Sequence, residues 1–134
     1  MDLIYVETTV LGNVAGRIHS NPDVASRQRT TRNWWKAATS QYELAISQLV
    51  IDECSDGDAT AAQERLNVLD NLIVLAITDD ARALARVLNA EGAVPPSEPR
   101  DALHIAVAAV QRVQYLVTWN FKHIANATMR TKIE

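Results

Sequence analysis

Glu7, Glu53, Asp101 and Asn120 carry oxygen-bearing side chains in four separated segments of this 134-residue chain. Asp101 stands at the mouth of an apolar run, Ala102-Leu103-His104-Ile105-Ala106-Val107-Ala108-Ala109-Val110. The triplet Thr118-Trp119-Asn120 ends the strand-like Tyr115-Leu116-Val117, and Glu7 ends Leu3-Ile4-Tyr5-Val6 in the same manner. Open α/β folds build their ligand sites at such carboxyl ends of parallel strands. Carboxylates with a neutral amide suit a hard divalent cation such as Mg²⁺ or Mn²⁺, which takes oxygen ligands and keeps several waters. A cation of that kind can activate a bound water and neutralise negative charge on a bound group. Histidine and thiolate clusters are missing, which disfavours zinc.

Each residue also has an ordinary role. Glu7 and Asp101 fit carboxylates in the first turn of a helix, at its positive end. Asn120 fits an N-cap for Phe121 to Ala125. Glu53 is different, because it lies mid-helix after Leu49, Val50 and Ile51. A carboxylate beside an apolar helix face is costly unless paired or metal-bound. Whether Asp52 or Glu53 points inward is left open at this level. His104, one turn beyond Asp101, reads as a core-edge imidazole donating to a backbone carbonyl, or else as a neighbour of the same cleft. His19 and His123 show no partners.

The elements that must position these residues follow from hydrophobic pattern. Leu3–Val6, Glu43–Ser47, Leu72–Ile77 and Tyr115–Thr118 read as strands. The first is unrelieved by polar residues, as expected of a strand covered on both faces. A short helix over 10–15 is entered through a Thr cap, and Asn21-Pro22-Asp23 starts a long polar helix reaching about Ser40. Ser47 caps a helix to about Asp56 that stops at Gly57, and Asp58 caps another through Asp70. Thr78 starts an amphipathic helix ending near Gly92, and the Asp101 helix is apolar almost all round and so should be buried. A helical turn follows the last strand, and Asn126 leads into a short helical tail. Strands alternating with helices imply a parallel sheet with helices on both faces.

Composition is ordinary for a folded domain, with 48% hydrophobic and 22% charged residues, and aromatics at only 5% leave the core to Leu, Ile, Val and Ala. A net charge of −3 argues against a broad basic face for duplex binding, though not against a local basic groove. The single cysteine, Cys54, excludes an internal disulfide and reads as a buried small hydrophobe. No apolar run is long enough to span a bilayer and no signal core opens the chain, so the expected location is cytoplasmic.

Together these residues resemble the PIN-domain family. The resemblance rests on Tyr5-Val6-Glu7-Thr8-Thr9, on Ser47 to Gly57 with Glu53 four residues before the glycine, on Asp101-Ala102-Leu103-His104-Ile105-Ala106 and on Leu116 to Asn126. A VapC-like branch carries a Thr-Arg-x-Trp-Trp segment, seen here as Thr31-Arg32-Asn33-Trp34-Trp35. The resemblance implies an α/β/α sandwich with a central parallel sheet of four or five strands, in one domain over 1–134 that lacks the further C-terminal strand its relatives carry. It also implies a metal-dependent ribonuclease, the toxin half of a toxin–antitoxin pair, commonly dimeric. By matching position, Glu7, Glu53, Asp101 and Asn120 would surround Mg²⁺ or Mn²⁺, with Glu7, Glu53 and Asp101 as ligands and Thr9, Thr118 and Asn120 in an outer shell. Glu7 and Asn120 depart from the aspartates usual there, and the loss of a charge at Asn120 leaves a set that holds one cation adequately and a second poorly.

The function expected is endoribonuclease activity, with Arg32, Lys36 and Lys122 among the cations placed to track an RNA backbone. A rival expectation is a binding module that holds RNA or an antitoxin without cleaving, in which Trp34 and Trp35 anchor an interface. Those tryptophans equally suit the core. A receiver-type phosphoacceptor domain has little support, since its middle strand would end in an acid where this chain has Thr78.

Overall fold

The computed structural model describes residues 1–125, which build a four-stranded parallel sheet with six α-helices and a closing π-helical turn. The strands are β1 (Leu3–Val6), β2 (Glu43–Ser47), β3 (Ile73–Leu75) and β4 (Tyr115–Val117), in the order β3-β2-β1-β4. β1 is central: Tyr5 pairs with Ala45 on one side and with Leu116 on the other. Ile4, Tyr5 and Val6 are all buried, and so are Leu44 to Ser47 of β2. Successive strand residues point to opposite faces, so both faces of the sheet are covered, which makes the fold a three-layer α/β/α sandwich.

The helices are α1 (Thr8–Val14), α2 (Pro22–Gln41), α3 (Gln48–Cys54), α4 (Ala59–Val68), α5 (Asp79–Ala90) and α6 (Pro99–Val110). Asn21 caps α2 by accepting from the Asp23 and Val24 amides, Asp58 caps α4 and Thr78 caps α5. Gly57 and Gly92 follow α3 and α5 with φ of +86° and +77°, the left-handed backbone that glycine adopts without strain. In α6 Ala102 and the run His104 to Ala108 are buried, as the all-round apolar pattern requires.

Several local expectations are corrected. α1 begins at Thr8, with Glu7 at its N-cap position but making no side-chain cap. Ser47 holds the N-cap position of α3 and likewise makes no cap, because its hydroxyl is engaged by Tyr5. The third strand is only Ile73–Leu75, and its outer residues Ile73 and Val74 are 41% and 54% exposed. Trp34 and Trp35 are half-buried against the core, edge-on to each other. The tail expected from Asn126 lies outside the described residues.

Candidate metal centre

The carboxyl end of the sheet gathers the first two acids. Glu7 directly follows β1 and is only 4% exposed. Its backbone amide donates to the Val117 carbonyl, which ties it to the end of β4. Thr118, just beyond β4, donates its hydroxyl to Glu7 Oε1 at 2.6 Å, and Thr9 donates to the same oxygen. Among the described residues nothing donates to Oε2.

Glu53 reaches the same place from α3, while Asp52 points to solvent and accepts from Gln48. Thr8 donates its hydroxyl to Glu53 Oε1 at 2.6 Å, and His104 Nε2 meets that oxygen at 2.7 Å. Again Oε2 receives no donor among the described residues. Burial opposes ionisation of Glu53, but the hydrogen bond and charge of His104, the Thr8 hydroxyl and the Arg100 charge outweigh it, so its carboxyl lies below the usual range. Glu7, Glu53 and His104 each offer a ligand atom within 4.8 Å of the others.

Asp101 opens α6 one turn before His104 and takes its partner from β4's end, where Asn120 Nδ2 donates to Asp101 Oδ2 at 3.2 Å. Burial, with Glu98 adding to it, raises its carboxyl above the usual value against the opposing Asn120 hydrogen bond. Asp101 is not part of the close Glu7, Glu53, His104 group among the described residues. Asn120 has two tasks, since its Oδ1 also accepts from the His123 amide at 3.0 Å and so caps the π-helical turn Phe121–Ala125.

Of the two roles open to His104, a backbone-carbonyl partner or a neighbour of the cleft, the second is the one found. His104 is 1% exposed, with Nδ1 on the Tyr5 hydroxyl at 2.8 Å and Nε2 on Glu53. Both ring nitrogens are taken, so its place is beside the ligand set and not within it. The Tyr5 phenol is pushed well above its usual value, chiefly by burial, with the Glu53 and Glu7 charges adding to it against the Ser47 hydrogen bond. Sequence reasoning gave no site role to Tyr5, Thr8 or Ser47 and did not foresee that His104 would hold Glu53. The available signals were the spacing of Asp101 and His104 along one helix face and a hydroxyl-bearing ring in an otherwise aliphatic strand.

The donor chemistry fits a hard cation. A buried carboxylate with only hydroxyl donors is costly unless a positive charge compensates it. Among the described residues no lysine or arginine forms an ion pair with Glu7, Glu53 or Asp101. Two oxygens, Glu7 Oε2 and Glu53 Oε2, are left for an incoming cation.

Around this edge, Trp119 donates from Nε1 to the Thr31 hydroxyl at 2.9 Å, and the Arg27 guanidinium lies over its ring at 5.3 Å from the centroid. A cleft of about 260 Å³ opens there, lined among others by Val10, Trp34, Thr118 and Phe121. Lys122 is exposed two residues beyond Asn120. Arg32 donates to the carbonyls of Asn13, Ala15 and Gly16 and thereby closes the end of α1. Lys36 is exposed a further five residues along α2 from Thr31, on a helix that runs back toward the start of β2.

No family model matches the chain, and no curated protein does. Among solved structures it is similar to a chain of the crystal structure of VapBC2 from Rickettsia felis bound to a DNA fragment from their promoter, with a TM-score of 0.62 at 20% identity, over 92% of this chain and 94% of that one. No helix among the described residues is long and apolar enough to cross a membrane. The strand order, the two-faced burial of the sheet and this likeness agree: the chain has a PIN-like α/β/α fold.

Proposed function

We propose that this chain is a metal-dependent endoribonuclease of a type II toxin–antitoxin system. The observation that carries the reading is the meeting of Glu7 and Glu53 at the carboxyl end of the sheet, each with one oxygen doubly hydrogen-bonded and, among the described residues, the other without a donor and neither ion-paired to lysine or arginine. Glu7, Glu53 and Asp101 would hold Mg²⁺ or Mn²⁺, with Thr9, Thr118 and Asn120 outside them. Bound there, the cation would supply water activation and charge neutralisation at a phosphodiester.

The protein's own part is positional. Thr9 and Thr118 fix Glu7, Thr8 and His104 fix Glu53, and Asn120 fixes Asp101. Arg27, over the Trp119 ring, and the exposed Lys122 and Lys36 would steer a phosphate backbone, together with Arg32. A cleft of about 260 Å³ suits a single strand or loop better than a duplex. An antitoxin partner and a homodimer accompany this reading; the VapBC2 likeness supports the former.

The second reading, an RNA- or protein-binding module with little turnover, is favoured by one feature. Asn120 offers an amide where a fourth carboxylate would add charge, and that amide is engaged with Asp101. Mn²⁺-dependent cleavage of a structured RNA decides between them. Cleavage by the wild type, reduced about a hundredfold or more in Glu53→Gln and Asp101→Asn, supports the nuclease. Cleavage by every form or by none rejects it.

A further inference from the structure

His104 heads a hydrogen-bonded chain that runs through the interior to one acid. Ser47 Oγ meets the Tyr5 hydroxyl at 2.8 Å, that hydroxyl meets His104 Nδ1 at 2.8 Å, and His104 Nε2 meets Glu53 Oε1 at 2.7 Å. Tyr5 and Ser47 are each 0% exposed and His104 is 1% exposed. The members come from β2, β1, α6 and α3. An ionised carboxylate can only accept, so Nε2 carries its proton toward Glu53. With a neutral imidazole Nδ1 accepts from Tyr5, whose oxygen accepts from Ser47; with a protonated one Nδ1 donates to Tyr5, which donates to Ser47. In both cases Nε2 donates to Glu53.

We propose that His104 is a positioning residue for the cation, acting through Glu53, with Tyr5 and Ser47 holding the imidazole. The inference rests on the reading of Glu7, Glu53 and Asp101 as cation ligands. The terminal torsion of a glutamate is broad and two-fold when nothing restrains it. Here Thr8 and His104 both hold Oε1, so Glu53 presents Oε2 in a set orientation. With Asn120 uncharged, affinity depends more heavily on how the remaining carboxylates are aimed. Groups that orient a ligating side chain commonly account for about 10–100-fold of metal affinity. An interior filler at 104 would need no polar atoms at all, whereas this imidazole uses both of its nitrogens along the route to Glu53.

The test is Mn²⁺ titration of the metal-free full chain, by calorimetry and by the electron paramagnetic resonance signal of free Mn²⁺, with circular dichroism and a thermal melt on each variant. Tyr5→Phe, which removes one oxygen, should weaken Mn²⁺ binding about tenfold, and His104→Phe about 10–100-fold. His104→Gln, which keeps a donor toward Glu53, should recover part of the loss. In a Glu53→Gln background His104→Phe should cost no further affinity, whereas a merely structural role would lower it in both backgrounds. Unchanged affinity in a folded His104→Phe overturns the proposal, as does an equal loss in both backgrounds. If His104→Phe fails to fold, Tyr5→Phe decides: an unchanged affinity overturns the proposal and a weakened one supports it. A wild type that binds no Mn²⁺ removes the metal reading itself, and this proposal with it. A wild type weakened by Glu53→Gln but not by His104→Phe removes this proposal alone.

Discussion

Thr8 and Thr9, neighbours in the first turn of α1, hold different acids: Thr8 donates to Glu53 of α3, and Thr9 donates to Glu7 at the end of β1. Thr9 has a further duty, since its hydroxyl oxygen accepts from the Trp119 amide at 2.9 Å. Thr9→Val therefore leaves a half-buried backbone donor without an acceptor, at a cost of about 1–3 kcal/mol, whereas Thr8→Val should cost only about 1 kcal/mol. Both should weaken Mn²⁺ binding about tenfold. Urea denaturation in the presence of a chelator and Mn²⁺ titration check the two effects. Equal stability of the two variants would contradict the geometry.

The two perturbed acids should give opposite pH signatures in the metal-free protein. Folding raises the Asp101 value, so its ionised form is the disfavoured one in the fold, and stability is lost as pH rises through that value. Folding lowers the Glu53 value, so its contribution is present above the ordinary glutamate range and is lost as pH falls through the folded value. At neutral pH Asp101→Asn should be more stable than wild type and Glu53→Gln less stable. Both differences should shrink toward acid pH, as measured by denaturation with a chelator present.

Cys54 lies in α3 immediately after Glu53, is 0% exposed, and its thiol is pushed up to about 11, mainly by burial. A thiol reagent should reach it only when this part of the molecule opens. Because Glu53 would leave the cation in the same opening, Mn²⁺ at a hundred times its dissociation constant should slow labelling about a hundredfold. Rates of alkylation with and without Mn²⁺ provide the measurement. No protection would mean that α3 and the cation are not coupled.

Lys122 and Arg32 should separate in their effects on RNA. Lys122 is exposed beside Asn120, so Lys122→Ala should weaken RNA binding and lower the slope of affinity against salt by about one. Arg32→Ala should chiefly lower stability, by about 1–3 kcal/mol, because three carbonyls at the end of α1 lose their donor. Binding measured across a salt series, alongside thermal melts, tells the two apart.

The layered fold was legible because β1 is an unbroken apolar run, β2 is apolar between Glu43 and Ser47, and α6 is apolar from Ala102 onward but for His104. β3 was read too long, since Leu72 and Ile77 continue the apolar pattern beyond the three residues that pair. Glu7, Asp101 and Asn120 were visible as two acids and an amide at element ends, and Glu53 as an acid beside an apolar helix face. What holds them was not visible. Tyr5 meets His104 across 99 positions and Thr118 meets Glu7 across 111, and such long-range bonds leave no periodic trace. The hydroxyls of Ser47, Thr8 and Thr9 sat where a cap is the ordinary reading, and only the folded arrangement redirects them.

The pairing of β1 with β4 has a consequence for when the molecule becomes competent. Residues 3–6 are synthesised early, yet their second neighbour in the sheet is the strand at 115–117. Until that strand is made, β1 keeps a raw edge and Glu7 lacks both the carbonyl and the hydroxyl that anchor it. Closing so long a loop is entropically slow to reward. The two acids at the carboxyl end of the sheet are thus brought into their final setting only when nearly the whole of the described fold has been laid down.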